Sequence, residues 1–145
     1  MKIWRPDLFI VFGSLVLGSL IYIIARSEAI VLNHYVAGAA DGEILTSLQG
    51  LISNDNIPSW VIYSLPDGLW MLALATSIMM IWHYELNYSS IVYTVVASIS
   101  GVMFEILQGL SLIPGTFDWS DIFFVTAASV LPVSVTILKS RLCKK

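Results

Sequence analysis

One cysteine and two histidines are all the soft metal-ligating or redox chemistry in this chain of 145 residues. With Cys143 alone, no internal disulfide can close and no cysteine-based metal site can form. His34 and His83 fall in separate loops, so a histidine-based site is not expected either. Charge is equally scarce, at 12% of residues, and only seven Lys or Arg stand against ten Asp or Glu. A chain this poor in cations has no basic surface for nucleic acid. Internal repeats, low-complexity tracts and a second domain are also lacking.

Apolar residues fill the space instead. They make up 57% of the chain, with a mean hydropathy of +0.84, where soluble domains hold about 45–50% apolar residues and about 25% charged ones. Four runs emerge, at residues 8–25, 60–82, 90–113 and 122–138. At roughly 1.5 Å per residue each can cross a hydrocarbon core of about 30 Å. The expected fold is therefore an all-α membrane protein, a single domain over residues 1–145 built as a bundle of four transmembrane helices. The first run follows a charged start, as a secretory signal would. Its 18 apolar residues are too many and no clean cleavage site follows, so it reads as a retained span.

Six of the seven cations lie in the tails: Lys2, Arg5, Lys139, Arg141, Lys144 and Lys145. Both termini are thus expected in the cytoplasm, and the loops at residues 26–59 and 114–121 on the outside. Trp4, Trp60, Trp82 and Trp119 mark span ends, as an aromatic belt does. Within the first outer loop, Ile44, Leu45, Leu48, Leu51 and Ile52 recur at helical spacing behind Asp41. That pattern predicts a short interfacial helix, or one packed over the bundle mouth. Ser14 and Gly18 form a small-xxx-small pair for close helix packing.

The polar residues inside these runs carry what functional signal there is. Pro114 sets the expected end of the third span, which puts Glu105 roughly 12 Å inside the helix and Gln108 one turn nearer its end. Thr94, Ala97 or Ser98, and Gly101 continue that face with small or hydroxyl side chains, so it should point into the bundle. Glu105 has neither a helix start nor a cation on its own helix to explain it, and an intramembrane acid marks a functional site by default. Asp67, in Ser64-Leu65-Pro66-Asp67, has the form of a capping box. Asp118 and Asp121, three apart before the last span, can cap as well. If spans two to four are neighbours, Asp67, Asp118 and Asp121 rim an acidic, outward-opening crevice with Glu105 and Gln108 at its floor. An acidic rim disfavours anionic phosphates unless a divalent cation such as Mg²⁺ or Ca²⁺ bridges them. Asp67, Glu105 and Asp121 could form such a site, but their expected separation argues against it, and no metal is assigned. No cofactor is implied.

This order of elements resembles the VanZ-like family of small bacterial membrane proteins. Pro66 and Asp67 open one helix, Glu105 and Gln108 follow near the end of the next, and Pro114 and Gly115 precede Asp121 at the start of the last. The resemblance covers residues 60–138. It departs from the family's pattern at Met71, where a His is frequent, and at Thr116-Phe117-Asp118, where an Arg is frequent. It departs again at Val125, Ala128 and Pro132, in place of an Asn and small glycines. The remaining site is acids without an imidazole or a cation. Membership would imply a cell-envelope role in the bacterial cytoplasmic membrane, the founding member being linked to teicoplanin resistance.

Three functions compete on these residues. The first is a non-enzymatic envelope protein that binds a lipid-linked or cell-wall component through Glu105, Gln108, Asp67, Asp118 and Asp121. The second is an intramembrane enzyme on a lipid or glycan, with Glu105 as general acid or base. The third is a structural or regulatory subunit that meets a membrane-protein partner or a second copy of itself. A transporter fits less well, since four spans without a repeat offer little pathway.

Overall fold

The computed structural model describes residues 5–25 and 57–142, and every regular element among them is helical. The helices are α1 (Arg5–Ala25), α2 (Ser59–Tyr63), α3 (Leu65–Ile81), α4 (Tyr88–Gly109) and α5 (Trp119–Leu142). The interfacial helix expected at residues 41–52 lies outside the described residues. Among the described residues, three stretches are long and apolar enough to cross a membrane: Pro6–Ile24, Tyr88–Gly109 and Trp119–Leu138. Their outer faces carry large exposed apolar side chains, among them Phe9, Phe12, Val96, Phe104, Phe123 and Leu131, the surface expected of helices that meet lipid rather than water.

The second expected span, residues 60–82, is divided. Pro66 has no N–H to offer the Ile62 carbonyl, so the helix breaks at Ser64 into α2 and the 17-residue α3. Around the break the bonds Ser64 N–H to Trp60 O and Gly68 N–H to Ser64 O persist. The capping box expected here does not form. Ser64 adopts right-handed helical angles (φ −96°, ψ −35°) and makes no side-chain cap bond, whereas a cap requires an extended residue.

Helix α3 is the centre of the bundle and packs on α1, α4 and α5. Its buried residues, including Gly68, Met71, Ala75, Thr76 and Met79, face in several directions and are mostly small or flexible. On α1 the buried stripe is Asp7, Val11, Ser14 and Gly18, at three- and four-residue steps. A Cβ at Gly18 would come within 2.9 Å of Trp70 Nε1, so the small-xxx-small pair does bring α1 against α3. Tyr22 meets the same Trp70, with ring centroids 5.3 Å apart. On α4 the buried residues are Ser90, Thr94 and Glu105. Val95, Val96, Ile99, Met103 and Phe104 point outward. Ser98 and Ser129 bring their hydroxyls to 3.1 Å across α4 and α5.

These contacts fix direction. Helices α1 and α3 run antiparallel, as do α3 and α4, and α4 and α5. The start of α1, the α3–α4 connection and the end of α5 lie at one end. The starts of α3 and α5 and the end of α4 lie at the other. At the first end, Asn87 Oδ1 accepts from Ser90 N–H at 2.8 Å while Ser90 Oγ accepts from Asn87 N–H at 3.1 Å, a complete capping box.

Helix α4 ends at Gly109, four residues before the expected boundary at 113. Ser111 turns left-handed (φ 57°), its N–H donates to Gln108 O, and Leu112 N–H donates to Leu107 O. That pair of bonds is a Schellman motif, and it closes the helix before Pro114 is reached. Glu105 therefore lies roughly 6 Å from the helix end, not 12 Å.

Candidate functional site

Helices α3, α4 and α5 bring three carboxyl groups together at the end of the bundle where α3 and α5 begin. Asp67 comes from the first turn of α3, Glu105 from the last turns of α4, and Asp121 from the first turn of α5. One carboxylate oxygen of each lies within 4.8 Å of the other two. This is closer than the separation expected from the sequence, because two close helix crossings tighten the bundle just beneath. At Gly101 a Cβ would come to 2.8 Å from Val125 Cγ1, and at Gly68 to 3.0 Å from Phe124 Cβ. Gly101 lies one turn below Glu105 on the same face, and Gly68 follows Asp67 directly.

Glu105 and Asp121 are 7% and 6% exposed, and Asp67 is half-buried. The cluster is thus closed on the α4 and α5 sides and more open towards α3. Glu105 Oε2 and Asp121 Oδ1 have no hydrogen-bond partner among the described residues. The Glu105 carboxyl group does accept the backbone N–H of Asp118, and its side chain is also within hydrogen-bonding reach of that of Asp121. Leaving a buried carboxylate oxygen unsatisfied costs more than leaving a neutral group so, commonly upward of about 1–3 kcal/mol. Three acids held this close also repel one another. A purely architectural cluster would carry partners for these oxygens.

Two other expected site residues play different parts. Asp118 is exposed, and its Oδ1 accepts from Ser120 N–H at 2.8 Å, which is the bond of an N-cap to α5. Gln108 lies one turn beyond Glu105 with its amide against Gly115, where a Cβ would come to 2.5 Å from Gln108 Cδ. Gly115 has φ +141°, so its lack of a side chain serves both the turn and the close approach of Gln108. The connection then folds back, with Phe117 over Gly109 and edge-on to Trp119 at 5.0 Å. Trp60 of α2 stacks on Phe124 at 5.5 Å beside the Gly68 crossing.

Two buried polar features escape the sequence reading. Ser64, fully buried, carries a hydroxyl with no partner among the described residues one turn before Asp67. At the opposite end, buried Asp7 of α1 faces Tyr84 of the α3–α4 connection. Burial, then the hydrogen bond to Asp7 and its charge, push the Tyr84 hydroxyl above its ordinary pKa. An acid at the third position of an apolar helix is a visible signal for Asp7, but nothing in the sequence nominates Tyr84. His83 and Tyr84 both have positive φ (54° and 59°), and the Schellman bonds His83 N–H to Met80 O and Tyr84 N–H to Met79 O close α3.

Comparison of the chain with family models, with curated proteins and with solved structures finds no match. The resemblance to the VanZ-like family rests on the residues named above.

Proposed function

We propose that the chain is a multi-pass protein of the bacterial cytoplasmic membrane with a cell-envelope role, binding a lipid-linked or cell-wall component at the carboxylate cluster. One observation carries this reading: Asp67, Glu105 and Asp121 converge from three helices, and Glu105 Oε2 and Asp121 Oδ1 are buried without a hydrogen-bond partner among the described residues. In this reading α2 and α3 together make the fourth crossing. The cationic tails then hold both termini in the cytoplasm, and the cluster opens outward within reach of the outer leaflet. The resemblance to the VanZ-like family through Pro66, Asp67, Glu105, Gln108, Pro114, Gly115 and Asp121 supports an envelope role and extends it to glycopeptide resistance.

A second reading, an intramembrane enzyme on a lipid or glycan, gains from the adjacency of Glu105 and Asp121. General acid–base chemistry needs a second titratable group within reach of the first, and Asp121 supplies one.

The test replaces the gene in its host by versions encoding Glu105→Gln and Glu105→Leu. Glycopeptide sensitivity is scored against membrane abundance. The binding reading expects both variants to lose the phenotype, Glu105→Gln at normal abundance. Wild-type sensitivity in both variants would exclude it.

A further inference from the structure

We infer that the cluster of Asp67, Glu105 and Asp121 is a binding site for one hard divalent cation of the Ca²⁺, Mg²⁺ or Mn²⁺ class. The inference rests on reading the cluster as a ligand site and specifies what that ligand must include. Two independent observations point to it. First, one oxygen from each residue lies within 4.8 Å of the others. Three oxygens spread evenly round Ca²⁺ stand about 4.0–4.5 Å apart, and round Mg²⁺ about 3.5–3.6 Å, from the usual bond lengths. The cluster is therefore close to the size Ca²⁺ needs and would have to contract further for Mg²⁺. Second, Glu105 and Asp121 are each more than nine-tenths buried, yet Glu105 Oε2 and Asp121 Oδ1 find no partner among the described residues. An ion between the three acids satisfies both oxygens and cancels the repulsion among them.

The donor set also selects the ion class. Carboxylate oxygens suit hard cations, whereas Zn²⁺ and Cu⁺ favour imidazole and thiolate. The one histidine among the described residues, His83, closes α3 at the opposite end of the bundle.

Three protein oxygens fill only part of the six to eight positions such an ion takes. The half-buried Asp67 marks the side on which further ligands can enter. An acidic site repels an anionic ligand, and a resident cation reverses that. The coordination left open suits the oxygens of a phosphate, whether on a lipid-linked molecule or free in solution.

The full chain, purified in detergent and stripped with chelator, is titrated with Mn²⁺ alone, and bound ion is read by electron paramagnetic resonance. Competition with Ca²⁺ and Mg²⁺ then ranks the ions. We expect one saturable ion per chain and a higher melting temperature on binding. Glu105→Gln and Asp121→Asn should each weaken binding by about tenfold or more, and Tyr84→Phe, at the opposite end of the bundle, should leave it unchanged. Saturable binding of unchanged affinity in both carboxamide variants, or no saturable binding to the wild type, overturns the inference. If no ion binds but Glu105→Gln still abolishes the envelope phenotype, the cation site is wrong and the proposed function stands. If the ion binds and Glu105→Gln keeps the phenotype, the cation site stands and the proposed function fails. Adding inorganic phosphate or vesicles holding a phosphate-bearing lipid to the ion-loaded protein separates the two phosphate sources.

Discussion

Replacing Gly101 by alanine inserts a methyl group where α4 crosses α5, with its Cβ 2.8 Å from Val125 Cγ1 and 3.3 Å from Met71 Cε. The first distance is about 1 Å inside ordinary carbon contact. Met71 Cε ends a flexible side chain and can move away. Val125 cannot, because it is β-branched, buried and held in one rotamer on a helix. Overpacking of this kind costs about 1–3 kcal/mol, while alanine regains about 1 kcal/mol of helix propensity over glycine. The single variant therefore understates the clash. A double-mutant cycle with Val125→Ala removes the propensity term, since that gain is present with or without the valine methyls. The cycle should yield a coupling of about 1–3 kcal/mol, with Val125→Ala tolerated far better in the Gly101→Ala background than in the wild type. Unfolding in mixed micelles of increasing SDS fraction measures it. A coupling below about 0.5 kcal/mol would mean that α4 and α5 do not meet here as closely as described. Gly101 supports Glu105 from one turn below, so the same alanine should also weaken ion binding.

Other outcomes follow from single contacts. Asp118→Ala should cost about 0.5–2 kcal/mol of stability through the lost cap on Ser120 N–H, measurable by thermal unfolding. Gly115→Ala should destabilise by about 1–3 kcal/mol, because its φ of +141° disfavours a side chain. Adding Gln108→Ala should relieve the steric part of that cost and not the backbone part. Tyr84 keeps its proton in the folded chain beyond the value of about 10 at which it ionises unfolded. Stability should hold below that pH and fall as pH rises above it, and Tyr84→Phe should flatten the fall, read as the unfolding midpoint against alkaline pH.

Much of the bundle is legible in the chain because lipid imposes one rule, that apolar runs become helices. The buried face of α4 is likewise written in Thr94, Gly101 and Glu105. What escapes is where helices stop and how near they come. Pro114 is a conspicuous breaker, yet α4 closes at Ser111 through backbone bonds that an ordinary residue can make at modest strain. Ser64-Leu65-Pro66-Asp67 has the letters of a cap, but Ser64 stays in helical geometry because the chain before it is helical too. The nearness of Asp67, Glu105 and Asp121 depends on crossings at Gly68 and Gly101. A glycine in a sequence does not announce which neighbour it admits. Asp118 and Asp121, alike in the sequence, part company because one caps the helix and the other turns inward.

Whether the three acids exist for a ligand or for the fold is decided by the stability of the purified, chelator-stripped chain carrying Glu105→Gln or Asp121→Asn, with Glu105→Leu as the reference for lost polarity. A site held open for a ligand carries its repulsion and its unpaired oxygens as a cost. Neutralising one acid should then leave unfolding stability equal to or above that of the wild type. Wild-type protein alone should gain stability when the cation is restored. If instead both carboxamides unfold as easily as Glu105→Leu, and restoring the cation moves none of them, the acids are structural partners and the ligand site is contradicted.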